Sequence, residues 1–250
     1  MLPFLQNQEL LNDLTLYLNK KMPIFSPKFF SIVFLGSQNP QILNHDFLIN
    51  NQILPIEKEP FKSIIEGVSK EHPPFTQYIS TPLVTTLTYK WISIIIEQHR
   101  YQIKDTHFNT PLESPIISIP KEYFGRVLRH TPITLGGINF GGNITFSDTD
   151  DEASFDESLG INHQSLQVQL GLVRAQYSPK INLVWDDEQD GQFELDLKKS
   201  KSFPGACVVN FNFEFIYKDM DSFVKKIDEA GKVHERFYTI LRKLNVEINK

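Results

Sequence analysis

From Cys207 to Tyr217 every odd position is apolar or aromatic (Cys207, Val209, Phe211, Phe213, Phe215, Tyr217), and Asn210, Asn212 and Glu214 fall between them, with Lys218 just after. An alternation of two kept over this length predicts a long strand with one buried face. A slip of one residue would turn the whole apolar set toward water, so the pattern also fixes which face is inside. Asp219 and Asp221 follow directly with side-chain oxygens suited to cap a helix. Phe223, Ile227, Gly231, His234, Phe237 or Tyr238, and Leu241 then recur at steps of three and four, which predicts one amphipathic helix over 221 to 244. A strand that feeds a helix folding back over it demands a two-layer core.

The segments upstream supply partners for that strand. Leu166, Val168, Leu170 and Leu172 alternate with polar or small residues, as do Ile181, Leu183 and Trp185, and Phe193, Leu195 and Leu197. Ser178-Pro179, Asp190-Gly191 and Pro204-Gly205 stand between them as turn signals. The expectation is a four-stranded antiparallel meander closed by the C-terminal helix. After Leu172 the apolar phase moves to Val173, Ala175 and Tyr177, the slip that a β-bulge near Gly171 would give.

In the first half, Leu10, Leu11, Leu14, Tyr17 and Leu18 predict a helix from Gln8 to Lys21, stopped by Pro23. Phe29 to Leu35 and Phe47 to Leu54 read as strands, closed by Gly36 and Pro55, and Phe61, Ile64, Ile65 and Val68 as a helix of about ten residues. Leu83 to Lys104 holds no proline or glycine and reads as strand throughout. That is too long for one ordinary strand, so it requires a tight reversal near Tyr89 to Trp91 or a long bent strand. His107 to Pro115 carries two prolines and predicts a boundary between two lobes, residues 1–110 and 111–250. Beyond it, Ile116 to Ile119 reads as a short strand, Tyr123 to Leu128 as a short helix, and Ile133 to Phe146 as an extended segment. The fold class expected is α+β, with mostly antiparallel sheets in two lobes.

Composition narrows the setting. With 250 residues, 40% apolar and 22% charged, the chain suits a folded globular protein, and 20 phenylalanines against 2 tryptophans suit packing on sheets. The lone Cys207 leaves no internal disulfide, which points to a cytoplasmic location. Met1 to Leu18 lacks the basic and apolar regions of a signal peptide, and no run approaches the ~20 apolar residues of a membrane helix. A formal net charge of −5 disfavours bulk attraction to nucleic acid or anionic lipid.

Motifs of chemistry are sparse. Gly136-Gly137-Ile138-Asn139-Phe140-Gly141-Gly142 resembles a phosphate-cradling loop in composition, but no lysine closes it and strand continues after it, so the glycines are read as making room in a sheet. Asp186, Glu188, Asp190, Gly191 and Glu194 mimic the first half of a calcium loop, yet Leu197 stands where a bidentate glutamate is needed, and no metal site is expected. Asp148, Asp150, Asp151, Glu152, Asp156 and Glu157 read as a solvated acidic stretch. The histidines His45, His72, His99, His107, His130, His163 and His234 form no zinc-spaced pair, and His234 reads as a core residue. No nucleophile elbow exists, and Cys207 has no recognisable base. Lys225, Lys226, Lys232, Arg236, Arg242 and Lys243 are balanced by Asp221, Asp228, Glu229 and Glu235 and read as a solvated helix face.

Residues 91–105 (WISIIIEQHRYQIKD), the GGINFGG segment, and the VHERF core of the last helix together resemble a sporadically distributed family of uncharacterised bacterial proteins of similar length. The resemblance implies an α+β fold and a bacterial or phage-related origin, without a mechanism. A looser analogy is to SecB-like chaperones, which also pair a four-stranded antiparallel sheet with a long helix. With catalytic residues unknown and no cofactor expected, the function expected is a protein-interaction subunit, adaptor or chaperone-like binder that meets a protein partner or itself. The alternative is a metal-dependent hydrolase or nuclease in which Asp148, Asp150, Asp186 and Asp190 converge in space.

Overall fold

A computed structural model describes residues 22–62, 75–147, 180–183, 191–200, 205–216 and 219–249. Their strands form one sheet. In chain order these are β1 (Ile24–Gly36), β2 (Gln77–Ser80), β3 (Val84–Tyr89), β4 (Ile92–Glu97), β5 (Arg100–Asp105), β6 (Ile133–Thr145), β7 (Lys180–Leu183), β8 (Gly191–Lys199), β9 (Ala206–Phe215) and β10 (Glu247–Ile248). Across the sheet the order is β2-β3-β4-β5-β1-β6-β9-β8-β7, with every neighbouring pair antiparallel, and β10 adds a short parallel pairing to the start of β1. The mixed α+β character and the antiparallel sheet expected from sequence are present.

Alternation explains the local strands. In β9 the odd residues from Cys207 to Phe215 are all buried, as the period of two requires. The apolar stretch 83–104 resolves into three strands with reversals at Lys90-Trp91 and Gln98-His99, and Lys90 takes a left-handed φ of 47° in the first. Three strands of the C-terminal meander, β7 to β9, pair as expected, whereas the Leu166 strand and its bulge lie outside the described residues. The predicted helix from Gln8 to Lys21 and most of that starting at Phe61 lie outside them too.

Long β1 runs through the centre. It pairs with β6 along its whole length and with β5 along its second half, so a strand from the start of the chain sits between the segments on either side of His107 to Pro115. The two expected lobes therefore share one hydrogen-bonded sheet.

Local capping chemistry overturns two of the predicted strands. Asn44 accepts a hydrogen bond from the Phe47 amide at 2.7 Å and starts a short helix α1 (His45–Asn50), where Phe47 to Leu54 had the composition of a strand. Ser114 accepts from the Ile116 amide at 3.4 Å, and Pro115 begins a 3-10 turn, Pro115–Ile117, so Ile116 to Ile119 is not strand. The turn continues through α2 (Ser118–Pro120) into a π-helix, Lys121–Val127. No strand–helix–strand crossover forms there.

The predicted terminal helix is two helices, α3 (Met220–Asp228) and α4 (Ala230–Lys243), divided at Glu229. Asp219 caps α3 through the Ser222 amide at 2.8 Å, and the Ser222 hydroxyl accepts in turn from the Asp219 amide at 3.2 Å. The expected stripe is otherwise kept, because Phe223, Ile227, His234, Phe237 and Leu241 are all buried. Their rings close the core against the sheet: Phe223 lies 4.6 Å from Phe34, and Phe237 stacks 5.0 Å from Phe211. Burying a phenylalanine stabilises by roughly 1.5–3 kcal/mol, so this aromatic layer carries much of the folding energy.

Candidate functional site

Register shows how the sheet separates its two faces. Leu87, Ile94, Ile103, Ile32, Ile138, Phe213 and Phe193 are aligned across seven strands, one apolar row under the helices. One residue along each strand, on the opposite face, Gln77, Thr88, Ser93, Lys104, Ser31, Asn139, Asn212 and Glu194 align across eight. Every residue in this second row is polar. Phe223, Phe237, Phe124 and Tyr123 make their ring contacts with Phe34, Phe211, Tyr101 and their neighbours, all on the first face.

Four glycines in β6 shape the two faces. A Cβ on Gly136 would meet the Phe215 ring at 2.5 Å, one on Gly141 the Phe29 ring at 2.2 Å, and one on Gly142 the Ser26 carbonyl at 2.3 Å and the Phe25 ring at 2.5 Å. These three make room for phenylalanines, as the sequence reading held. At Gly137 the nearest atoms are instead Asn212 Oδ1 at 3.2 Å and Asn139 Nδ2 at 3.7 Å, so here the space is bordered by two amide tips.

That space opens into a depression of about 170 Å³ on the polar face. Val33, Leu35 and Leu135 form its apolar wall, with Arg100 and Glu214 among the lining residues. None of the side chains of Arg100, Asn139, Asn212 and Glu214 makes a hydrogen bond or ion pair to a described residue. Sequence reading sets Asn210, Asn212 and Glu214 between the apolar positions of β9 and gives them no function. The signal that could have found them was the alternation of β9 itself, once paired with the glycines of β6.

The second open feature is the sheet edge at β2. All four of its residues are exposed. Tyr78, Ile79 and Leu83 are 42%, 49% and 64% exposed, and residues 76–83 carry no charge. The Tyr78 hydroxyl donates to the Leu43 carbonyl at 3.4 Å, which holds that ring at the edge.

Several groups with catalytic side-chain types make packing or capping contacts among the described residues. Asp105 is the one charged residue aligned with the buried row Tyr89, Ile92, Phe30, Phe140 and Phe211. It accepts from Ser114 Oγ at 2.5 Å and from the His107 amide at 2.7 Å, and burial pushes its carboxyl up from the usual range. Asp105, His107 and Ser114 have the types of a hydrolytic triad, but the serine hydroxyl donates to the carboxylate and the imidazole packs 5.1 Å from Trp91. His45 shares a 2.9 Å hydrogen bond with the Tyr89 hydroxyl, and burial lowers its pKa. His234 is buried among Tyr238, Phe140 and Phe108, with no hydrogen-bond partner for Nε2 among the described residues. Cys207 is buried on the core face of β9.

Asp148, Asp150, Asp186, Glu188 and Asp190, and also His72 and His163, lie outside the described residues. Among the described residues no group of three His, Cys, Asp or Glu side chains could hold a metal ion. A larger hollow of about 440 Å³ is lined by Met22, Tyr238, Arg242 and the Asn245 to Ile248 segment. No helix among the described residues is long and apolar enough to cross a membrane. No protein-family model matches the chain, and no curated protein matches it.

Proposed function

We propose that the protein is a non-enzymatic interaction subunit, an adaptor or chaperone-like binder, whose partner adds an extended segment to the β2 edge. The observation that carries this reading is the exposure of that edge. Gln77 to Ser80 contain no lysine, proline or bulge, the usual devices that keep an outermost strand from pairing with another chain. Backbone groups on the side with no strand neighbour among the described residues offer hydrogen bonds to an incoming strand, while Tyr78, Ile79 and Leu83 offer apolar surface for side-chain selection. A four-residue strand offers few backbone hydrogen bonds. Affinity must therefore come largely from those three side chains.

A cytoplasmic location in a bacterial or phage-encoded system belongs to the same reading and rests on the single, buried cysteine and the family resemblance. The acidic balance of the chain supports a protein partner over nucleic acid. A hydrolase or nuclease would rest on Asp148, Asp150, Asp186 and Asp190, and no described geometry favours it.

Affinity purification from native cells followed by light scattering tests the proposal. The expected result is an oligomer or a stoichiometric complex that the double change Tyr78→Lys, Ile79→Lys disperses while the circular dichroism spectrum is kept. A clean monomer with no co-purifying protein overturns it.

A further inference from the structure

We propose that the depression over Gly137 is a binding site for a neutral polyhydroxylated ligand, about one sugar ring in size. Three of the four glycines in β6 leave space that phenylalanine rings or backbone already fill, and the fourth leaves space that no ring enters. The nearest atoms bordering it are the Asn212 amide oxygen, the Asn139 amide nitrogen and the Phe213 carbonyl oxygen, a set of acceptors and a donor less than 4 Å from the vacated Cβ position. Hydroxyl groups, which both give and accept hydrogen bonds, match such a set.

The surrounding groups point the same way. Arg100 on β5 and Glu214 on β9 stand three strand spacings apart, roughly 14 Å between backbones, so they flank the depression without neutralising each other directly. An anion would find Arg100 but also face Glu214, and a cation the reverse. An uncharged ligand with several hydroxyls can use both, together with the two asparagines. Val33, Leu35 and Leu135 give an apolar wall against which the C–H face of a sugar ring packs. The volume of about 170 Å³ would hold five or six waters at ~30 Å³ each, which suits one ring and excludes a long chain lying within it. A shallow site of this kind binds on the order of 1 mM.

Saturation-transfer NMR and titration calorimetry on the full-length chain provide the test, with glucose, galactose, mannose, ribose and N-acetylglucosamine as probes and inorganic phosphate and lysine as charged controls. At least one sugar is expected to bind saturably. Asn139→Leu and Asn212→Leu should each weaken it at least tenfold, and Gly137→Val, which fills the floor, should abolish it. The asparagine changes lie on the open face, so melting temperatures within a few degrees of the parent would separate lost binding from lost folding. Absence of binding by every sugar overturns the proposal, and so does sugar binding that survives both asparagine changes. Binding of phosphate or lysine with no sugar able to compete also overturns it, because that ligand would be charged.

Discussion

Lowering the pH should destabilise this protein through buried histidines, of which His234 has the larger shift. Burial drops its pKa from 6.5 to about 4, Glu235 opposes that shift, and Arg242 adds to it. The side chain is 8% exposed, and among the described residues Nε2 has no hydrogen-bond partner to accept from a protonated ring. The folded pKa lies below the unfolded one, so the unfolded chain binds the proton more readily, and stability falls as pH drops below 6.5 toward 4. A shift of this size corresponds to about 3 kcal/mol when complete, and to about 2 kcal/mol at pH 5. For a chain of this length that is a fall in Tm of roughly 4–8 °C. Other groups titrate over the same interval, so the informative quantity is the difference between the parent and His234→Leu, which keeps an apolar group in the ring cluster. Urea unfolding followed by circular dichroism from pH 7 to pH 5 should show the parent losing about 2 kcal/mol more than the variant. Parallel curves would refute the assignment of a buried neutral imidazole.

Phe213→Asp should cost more than about 4 kcal/mol, because it places an unpaired carboxylate in the apolar row between Ile138 and Phe193, and a melting temperature equal to the parent's would show that the odd positions of β9 do not face the core. Gly141→Val should lose about 1–3 kcal/mol in chemical denaturation, since its Cβ would fall 2.2 Å from the Phe29 ring, and Phe29→Ala in the same chain should recover part of that loss. Ser114→Ala removes the hydroxyl that donates to buried Asp105 and should cost about 1–3 kcal/mol at pH 7, and titration of the carboxyl by NMR should show its pKa raised further.

What the sequence determined by itself was the inside and outside of each element with a clear period. The alternation from Cys207 to Phe215 named the buried face of β9, and the stripe from Phe223 to Leu241 named the buried face of the last helices, because side-chain direction is set by local backbone geometry. Short elements escaped this logic. Helix α1 spans six residues, too few for a helical period to show, and its one legible sign was the capping residue Asn44. The reading of GGINFGG as room within a sheet was sound, but its partners Phe25, Phe29 and Phe215 lie far away in the chain. Strand order was equally non-local: nothing near β1 announces that it will sit between β5 and β6 and join both halves of the chain in one sheet. The tertiary structure alone decided that Asn139 and Asn212 come to border the space over Gly137, and that β2 is the outermost strand among the described residues. The physical reason is the same in both cases, since a strand's pattern specifies the face it turns to the core and leaves open which strand lies beside it.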